Sequence, residues 1–369
     1  MKIAQIAPLA ERVPPKLYGG TERIVSYLTE ELVRQGHDVT LFASGDSVTS
    51  ARLVPCNEVA LRLDPNIRDT IPYQVMQLEE VRRRADDFDV LHFHIDMLHF
   101  PLVRDFAERT VTTLHGRLDL PDLQPFYRAF PDMPLVSISD HQRLPMPPVN
   151  WVATVYHGLD AGLPFTASPK DDYLAFLGRI SPEKRPDRAI EIARRAGMKL
   201  KMAAKVDQAD RAYWQDVIEP LIRQSPHVEF IGEINEQQKA GFLGNARALL
   251  FPIDWPEPFG LVMIEAMACG TPVIAFRCGS VPEVIDHGVS GFIVDSMDEA
   301  VESVRRIDEL DRVKVRQAFD TRFTAERMAR DYVAVYRKLG ARDYPVLFNN
   351  SRSMHAGPGF EGSNRHAFA

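Results

Sequence analysis

Apolar residues in this chain recur in two rhythms that alternate from one end to the other. Short apolar runs at 2–9 (KIAQIAPL), 37–43 (HDVTLFA), 89–94 (DVLHFH), 110–116 (TVTTLHG) and 134–140 (PLVSISD) read as buried strands. Between the first two, Ile24, Val25, Tyr27, Leu28, Leu32 and Val33 form one helical stripe over 21–35, which Gly36 stops. Strand, helix and strand in that order make a β-α-β unit with parallel strands. A further helix is expected over 73–84. Residues 151–160 (WVATVYHGLD) close this series, and the polar, Pro-bearing 163–172 reads as a linker.

A second series opens at 173–180 (YLAFLGRI). It continues with a helix over 181–197, capped by Ser181 with Pro182 at its first position, then a strand at 198–207 and a helix at 211–223. Runs at 227–234, 247–253 and 273–276 add strands, with a helix through Phe242, and 326–340 is a final amphipathic helix. The pattern predicts an α/β chain of two doubly wound, Rossmann-like domains, one over 1–162 and one over 173–322. Residues 344–369 lack periodicity and read as a loosely ordered tail.

Composition narrows the function. A chain of 369 residues holds two cores, and 45% hydrophobic with 26% charged residues is ordinary for a soluble globular protein. A net charge of -7 speaks against nucleic acid, and within residues 1–165 only Arg82, Arg83 and Arg84 are clustered. An anionic membrane attracts clusters of roughly 4–8 basic residues, so membrane contact is expected to be peripheral at most. No run approaches the roughly 18 apolar residues of a membrane span, and residues 1–15 lack a signal-peptide core. Cys56, Cys269 and Cys278 are odd in number and not spaced as metal ligands, which suits reduced thiols and a cytoplasmic location.

The chemistry concentrates at 256–272, PEPFGLVMIEAMACGTP. Glu257 precedes a turn, Phe259, Gly260 and Leu261 open a helix, Glu265 lies in its early turns, and Gly270 ends it. First-turn amides without internal partners favour phosphate or sugar oxygens, and two carboxylates beside them suit sugar hydroxyls. As a bare pair they equally fit a solvated Glu and a helix-capping Glu. Arg179 and Lys184 flank a strand-to-helix turn and form a candidate diphosphate clamp, a planar fork and a point charge; the plain alternative is two solvated basic residues. Gly19 and Gly20 precede a helix N-terminus, where a backbone can approach a ligand or simply turn tightly. His115 ends a strand at the carboxyl edge where open α/β sheets bind ligands. His92 and His94 share a face, with His99 nearby, but no third ligand has metal-site spacing, so a core histidine or a cleft wall is expected.

Taken whole, these strings resemble the retaining glycosyltransferases of family 4, group 1, with the two-domain GT-B fold. PEPFGLVMIEAMACGTP resembles their E-x(7)-E signature, FLGRISPEKRPDRAI their G-R-x-x-x-x-K pattern, GGTERIV…GHDVTLFA their opening, and His157-Gly158-Leu159-Asp160 their H-G-x-D motif. The resemblance covers about residues 1–340. It implies two domains facing across a cleft, with 323–343 crossing back to the first. It further implies a hexose moved from a nucleotide-sugar donor, UDP-glucose in preference to GDP-mannose, to the hydroxyl of a small molecule or saccharide, with retention and without metal or other cofactor.

By resemblance, His115 and Glu257 would meet the transferred sugar, Glu265 the ribose, and Arg179, Lys184 and the amides near Gly19, Gly20, Phe259, Gly260 and Leu261 the diphosphate. Gly279 and Ser280 would add amides there, and closure would occur about 160–172. The chain departs from the commoner pattern after the strand at 198–207, where Ala203-Ala204-Lys205 replaces a Gly-rich turn; Lys205 becomes an added phosphate or base contact. A nucleotide-sugar epimerase or phosphorylase and a non-catalytic nucleotide-sugar binding protein are the alternatives. A nicotinamide oxidoreductase fits poorly, since Gly19-Gly20 is not G-x-G-x-x-G.

Overall fold

The computed structural model describes residues 1–340 other than Tyr18 and Leu63; the expected tail at 344–369 and the end of 323–343 lie outside the described residues. Strands β1 (Lys2–Ile6), β2 (Asp38–Ser44), β3 (Arg52–Asn57), β4 (Val90–Phe93), β5 (Thr110–Thr113), β6 (Leu135–Ser137) and β7 (Trp151–Thr154) form one sheet. Strands β8 (Tyr173–Arg179), β9 (Lys199–Lys205), β10 (Val228–Gly232), β11 (Ala248–Phe251), β12 (Val273–Phe276) and β13 (Gly291–Val294) form another. Their orders, 3-2-1-4-5-6-7 and 10-9-8-11-12-13, are parallel throughout and reverse direction at β1/β4 and β8/β11. Those reversals are the crevices where such sheets take ligands. Buried strands with helices on both faces explain the nearly continuous apolar runs.

Three sequence readings change. Strand β3, RLVPCN, was not foreseen: Pro55 cannot donate to a ladder and is tolerated because β3 is an edge strand. The single helix expected over 181–197 is two pieces, a 3-10 turn at Pro182–Lys184 and a helix at Pro186–Ala196. Pro186 disfavours helical geometry in the residue before it, and Arg185 stands in the left-handed region at φ 52°. Lys184 therefore sits on a turn before the helix and not in its first residues. Thirdly, the linker is not a free hinge. Arg316 donates to the carbonyls of Ala161 (2.6 Å), Leu163 (2.7 Å) and Ala268 (2.7 Å), and Arg312 to that of Thr166 (2.8 Å), which straps 161–166 to the second domain.

The two chain crossings instead lie side by side, where Leu159 and Thr324 bridge and the Leu159 amide donates to Phe323 O at 2.9 Å. A Cβ at Gly158 would stand 2.3 Å from Thr324 O, which explains the glycine of the H-G-x-D string. Gly158→Ala is expected to cost about 1–3 kcal/mol by overpacking, read as a lower denaturation midpoint; an unchanged midpoint would mean the crossing tolerates separation. Beyond it the Ala325–Lys338 helix returns to the first domain and buries Met328, Ala329, Tyr332, Val333 and Tyr336 beside the Gly20–Arg34 helix. On the far side of this crossing, Glu283 of the second domain accepts from the amides of Asp140 and His141 (2.7 Å each) and from the Tyr156 hydroxyl at 3.1 Å.

Candidate active site

The carboxyl ends of β1, β5, β8, β9 and β11 face one another across a cleft of about 560 Å³ between the domains. Gly19, Gly20, His115, Arg179, Lys184, Lys205, Glu257, Phe259, Gly260, Leu261 and Glu265 all line it. Residues up to 246 positions apart in the chain, from Gly19 to Glu265, are thus brought to one wall or its opposite.

The turn after β8 delivers Lys184 to Glu257, with which it is ion-paired. Trp255 holds both partners: its ring lies 4.9 Å from the Lys184 nitrogen and its Nε1 donates to Glu257 Oε2 at 2.9 Å. Glu257 and Glu265 are both buried. Glu265 accepts from Lys239 Nζ at 2.6 Å, Lys239 also meets Glu236 at 3.1 Å, and Glu236 pairs with Arg23 of the first domain at 2.6 Å. This alternating chain of charges crosses the cleft. Arg179, at the end of β8, is shared by Glu183 (2.6 Å), Asp210 (3.4 Å) and Asp207 (3.9 Å), while Lys205 pairs with Asp207 at 2.9 Å. Each cation of the expected clamp is therefore paired with carboxylates.

The glycines earn their positions by contact. Gly260 caps the Leu261–Ala268 helix at φ 79°, and a Cβ there would stand 2.7 Å from Met263 Cε. Gly20 faces that helix from the other domain, where a Cβ would lie 3.3 Å from Leu261 Cδ1. Phe259 lines the cleft at this turn, and its ring is almost wholly buried against His157 (4.9 Å), Tyr156 and Phe323, so the side chain holds the turn in place. One expectation is corrected. Gly279 and Ser280 do not line the cleft; a Cβ on Gly279 would lie 2.3 Å from Glu257 N, and the Ser280 amide donates to Glu257 O at 3.0 Å. They buttress the signature loop from behind.

His115 is half-buried, stacks on His157 at 5.2 Å and 15°, and its Nε2 lies 2.9 Å from His94 Nδ1. Burial pushes its pKa down to about 3, so the ring is neutral at physiological pH. His92 and His94 are core histidines that do not line the cleft. Among the described residues, no group of three or more His, Cys, Asp or Glu is placed to hold a metal ion. No helix among them is long and apolar enough to cross a membrane.

Two family models match the chain: "Glycosyltransferase Family 4" over residues 18–143 and "Glycosyl transferases group 1" over 164–322. The chain belongs to the family 4, group 1 glycosyltransferases. It is 25% identical to the N-acetyl-alpha-D-glucosaminyl L-malate synthase of Bacillus anthracis over 366 residues, 86% of this chain and 93% of that one. Its fold resembles that of sucrose-phosphate synthase from Thermosynechococcus elongatus (TM-score 0.74, 18% identity, 92% of this chain and 99% of that). It also resembles Anabaena HepE in complex with UDP and glucose (TM-score 0.68, 16% identity, 92% and 100%). The two α/β sheets are those of the GT-B glycosyltransferases, and this glycosyltransferase carries its charged cleft between them.

Sequence reasoning missed Trp255, Arg23, Glu236 and Lys239. Trp255 stands two residues before Glu257 and was within reach of the motif. The other three carry no motif and meet only through folding.

Proposed function

We propose that this glycosyltransferase moves a hexose from UDP-glucose, or a close UDP-sugar, to the hydroxyl of a small soluble molecule or saccharide, with retention of configuration and without a metal. The observation that carries the reading is the pairing of Lys184 with Glu257 beside Arg179 and the Leu261–Ala268 helix start, in one cleft shared by both domains. Cations poised there suit the charge that builds on a departing diphosphate, and a preorganised charge acts there without reorganisation. As the bond between the sugar C1 and the phosphate oxygen breaks, the acceptor oxygen bonds to C1 from the same face and gives its proton to that phosphate oxygen. Glu257 balances positive charge on the ring, and Glu265 accepts hydrogen bonds from ribose hydroxyls once Lys239 yields. The UDP and glucose held by HepE support the donor choice. The L-malate in the Bacillus relative's name supports a small acceptor, as do the cleft-lining Arg62 and Arg117 of the first domain.

A thermal-shift series with UDP, GDP and their sugars tests it. UDP species are expected to stabilise the fold by about 2.7 kcal/mol at 100 times the dissociation constant, read as a raised midpoint with or without magnesium, and Glu265→Ala to abolish the shift. A shift seen only with magnesium, or only with GDP species, would replace the corresponding part of the reading.

A further inference from the structure

Behind the cleft the first domain encloses a hydrogen-bonded run of polar side chains that the reaction above does not use. Gln5 of β1 lies beside His92 of β4 in register, His94 follows at the end of β4, and Thr113 ends β5. Tyr332 and Tyr336 reach them from the returning Ala325–Lys338 helix. All six are buried. The Gln5 amide nitrogen donates to Tyr336 Oη at 3.1 Å, which lies 2.8 Å from His92 Nδ1. His92 Nε2 is 2.8 Å from Thr113 Oγ1, itself 2.8 Å from Tyr332 Oη. On the other side, Gln5 Oε1 lies 2.7 Å from His94 Nε2, and His94 Nδ1 lies 2.9 Å from His115 Nε2.

Such a run has a direction, because a neutral imidazole carries one N–H and one lone pair. A carbonyl oxygen can only accept, so His94 Nε2 bears the hydrogen. His94 Nδ1 is then bare and must itself accept, which puts the hydrogen of His115 on Nε2. The His115 Nδ1 is left as a lone pair, and that atom is buried without a partner among the described residues. We infer that Gln5 and His94 are positioning residues that fix the tautomer of His115, so that its Nδ1 is presented as an acceptor for a sugar hydroxyl of the bound donor. This rests on the donor reading above. His157, stacked on His115 at 15°, holds the ring plane. Burial lowers the pKa of His92, His94, His115 and His157 alike, which keeps the run neutral, and the Gln5 oxygen sets the direction of its His94–His115 branch. The returning helix is thereby tied to the cleft: Tyr336 takes the Gln5 amide hydrogen that orients the opposite oxygen toward His94.

The test is long-range proton–nitrogen NMR of the histidine rings in the full chain, alone and with UDP-glucose. The native protein is expected to show His115 with a protonated Nε2 and a bare Nδ1. Gln5→Glu, which keeps an acceptor opposite His94, should retain that tautomer, and Gln5→Leu should release it to a mixture. In transfer assays one monodeoxy analogue of UDP-glucose should show a raised KM on the order of tenfold with the native enzyme, a penalty that shrinks toward unity in Gln5→Leu. A hydrogen on His115 Nδ1, the sense produced by a reversed Gln5 amide, overturns the proposal, as does an unchanged tautomer in Gln5→Leu. If Gln5→Leu does not fold, the native spectrum alone decides. The wrong tautomer with UDP-glucose still bound removes only this inference; the expected tautomer without any sugar-nucleotide binding removes the donor reading instead.

Discussion

Lys184→Ala is expected to lower kcat/KM for acceptor-dependent nucleotide release by on the order of 10²–10³-fold, the loss typical when one preorganised charge is withdrawn from a developing anion. The ammonium stands over the Trp255 ring and beside Glu257, with only 20% of the side chain exposed. Low exposure strengthens its field at the leaving diphosphate relative to a charge in water. A second effect accompanies the first. Without Lys184, the buried Glu257 keeps only the Trp255 hydrogen bond among the described residues, and a buried carboxylate stripped of its partner destabilises the fold. The double variant Lys184→Ala/Glu257→Gln should therefore recover much of the lost stability while remaining as slow as the single variant or slower. Measuring both separates the role in the reaction from the role in the fold. A single variant within about threefold of the native rate would take Lys184 out of the clamp.

Several residues of the cleft were visible in the chain because they sit at or just beyond the end of a strand. Arg179 closes YLAFLGR, Lys205 closes KLKMAAK, and Glu257 follows ALLF by a short loop. Parallel strands with their carboxyl ends aligned then have little freedom over where those side chains go. What stayed hidden was set by contacts between distant segments. Nothing local marks Arg23 as the partner of Glu236, 213 residues later, or Lys239 as that of Glu265. The strand β3 was hidden for a different reason: Pro55 and the exposure of alternate residues in RLVPCN remove the pattern of a central strand. The split before Pro186 was legible from the proline rule, yet the Ser-Pro start of the segment reads equally well as a helix cap. Alternation placed His92 and His94 on one face, and their rings lie 4.0 Å apart, but only the returning helix reveals what those faces bond to.

Those same histidines make the fold sensitive to acid. Lowering the pH from 7.5 to 5.5 is expected to remove several kcal/mol of unfolding free energy, before any carboxylate contributes. His92, His94, His99 and His157 are buried, and burial holds all four, with the half-buried His115, below the ordinary histidine range, His99 and His115 down to about 3. In the unfolded chain each takes up a proton near pH 6.5, whereas the folded chain does not. Between those limits the unfolded state binds more protons, so stability rises with pH and is lost on acidification. Each ring contributes on the order of 1 kcal/mol over this interval, so together they take a large share of the stability of an ordinary domain. Glu11, Glu22 and Asp96, raised by burial, act in the opposite sense as acid is added. A single substitution isolates the histidine share. His99 stacks on Phe93 at 4.0 Å, bonds Thr112 at 2.7 Å and does not line the cleft. In urea titrations at the two pH values, His99→Gln should shrink the difference by on the order of 1 kcal/mol, whatever it does to absolute stability. Equal stability at pH 7.5 and 5.5 in the native chain would mean that these imidazoles accept protons without unfolding, through a cluster looser than the packing of His92 between Tyr332 and Tyr336 allows.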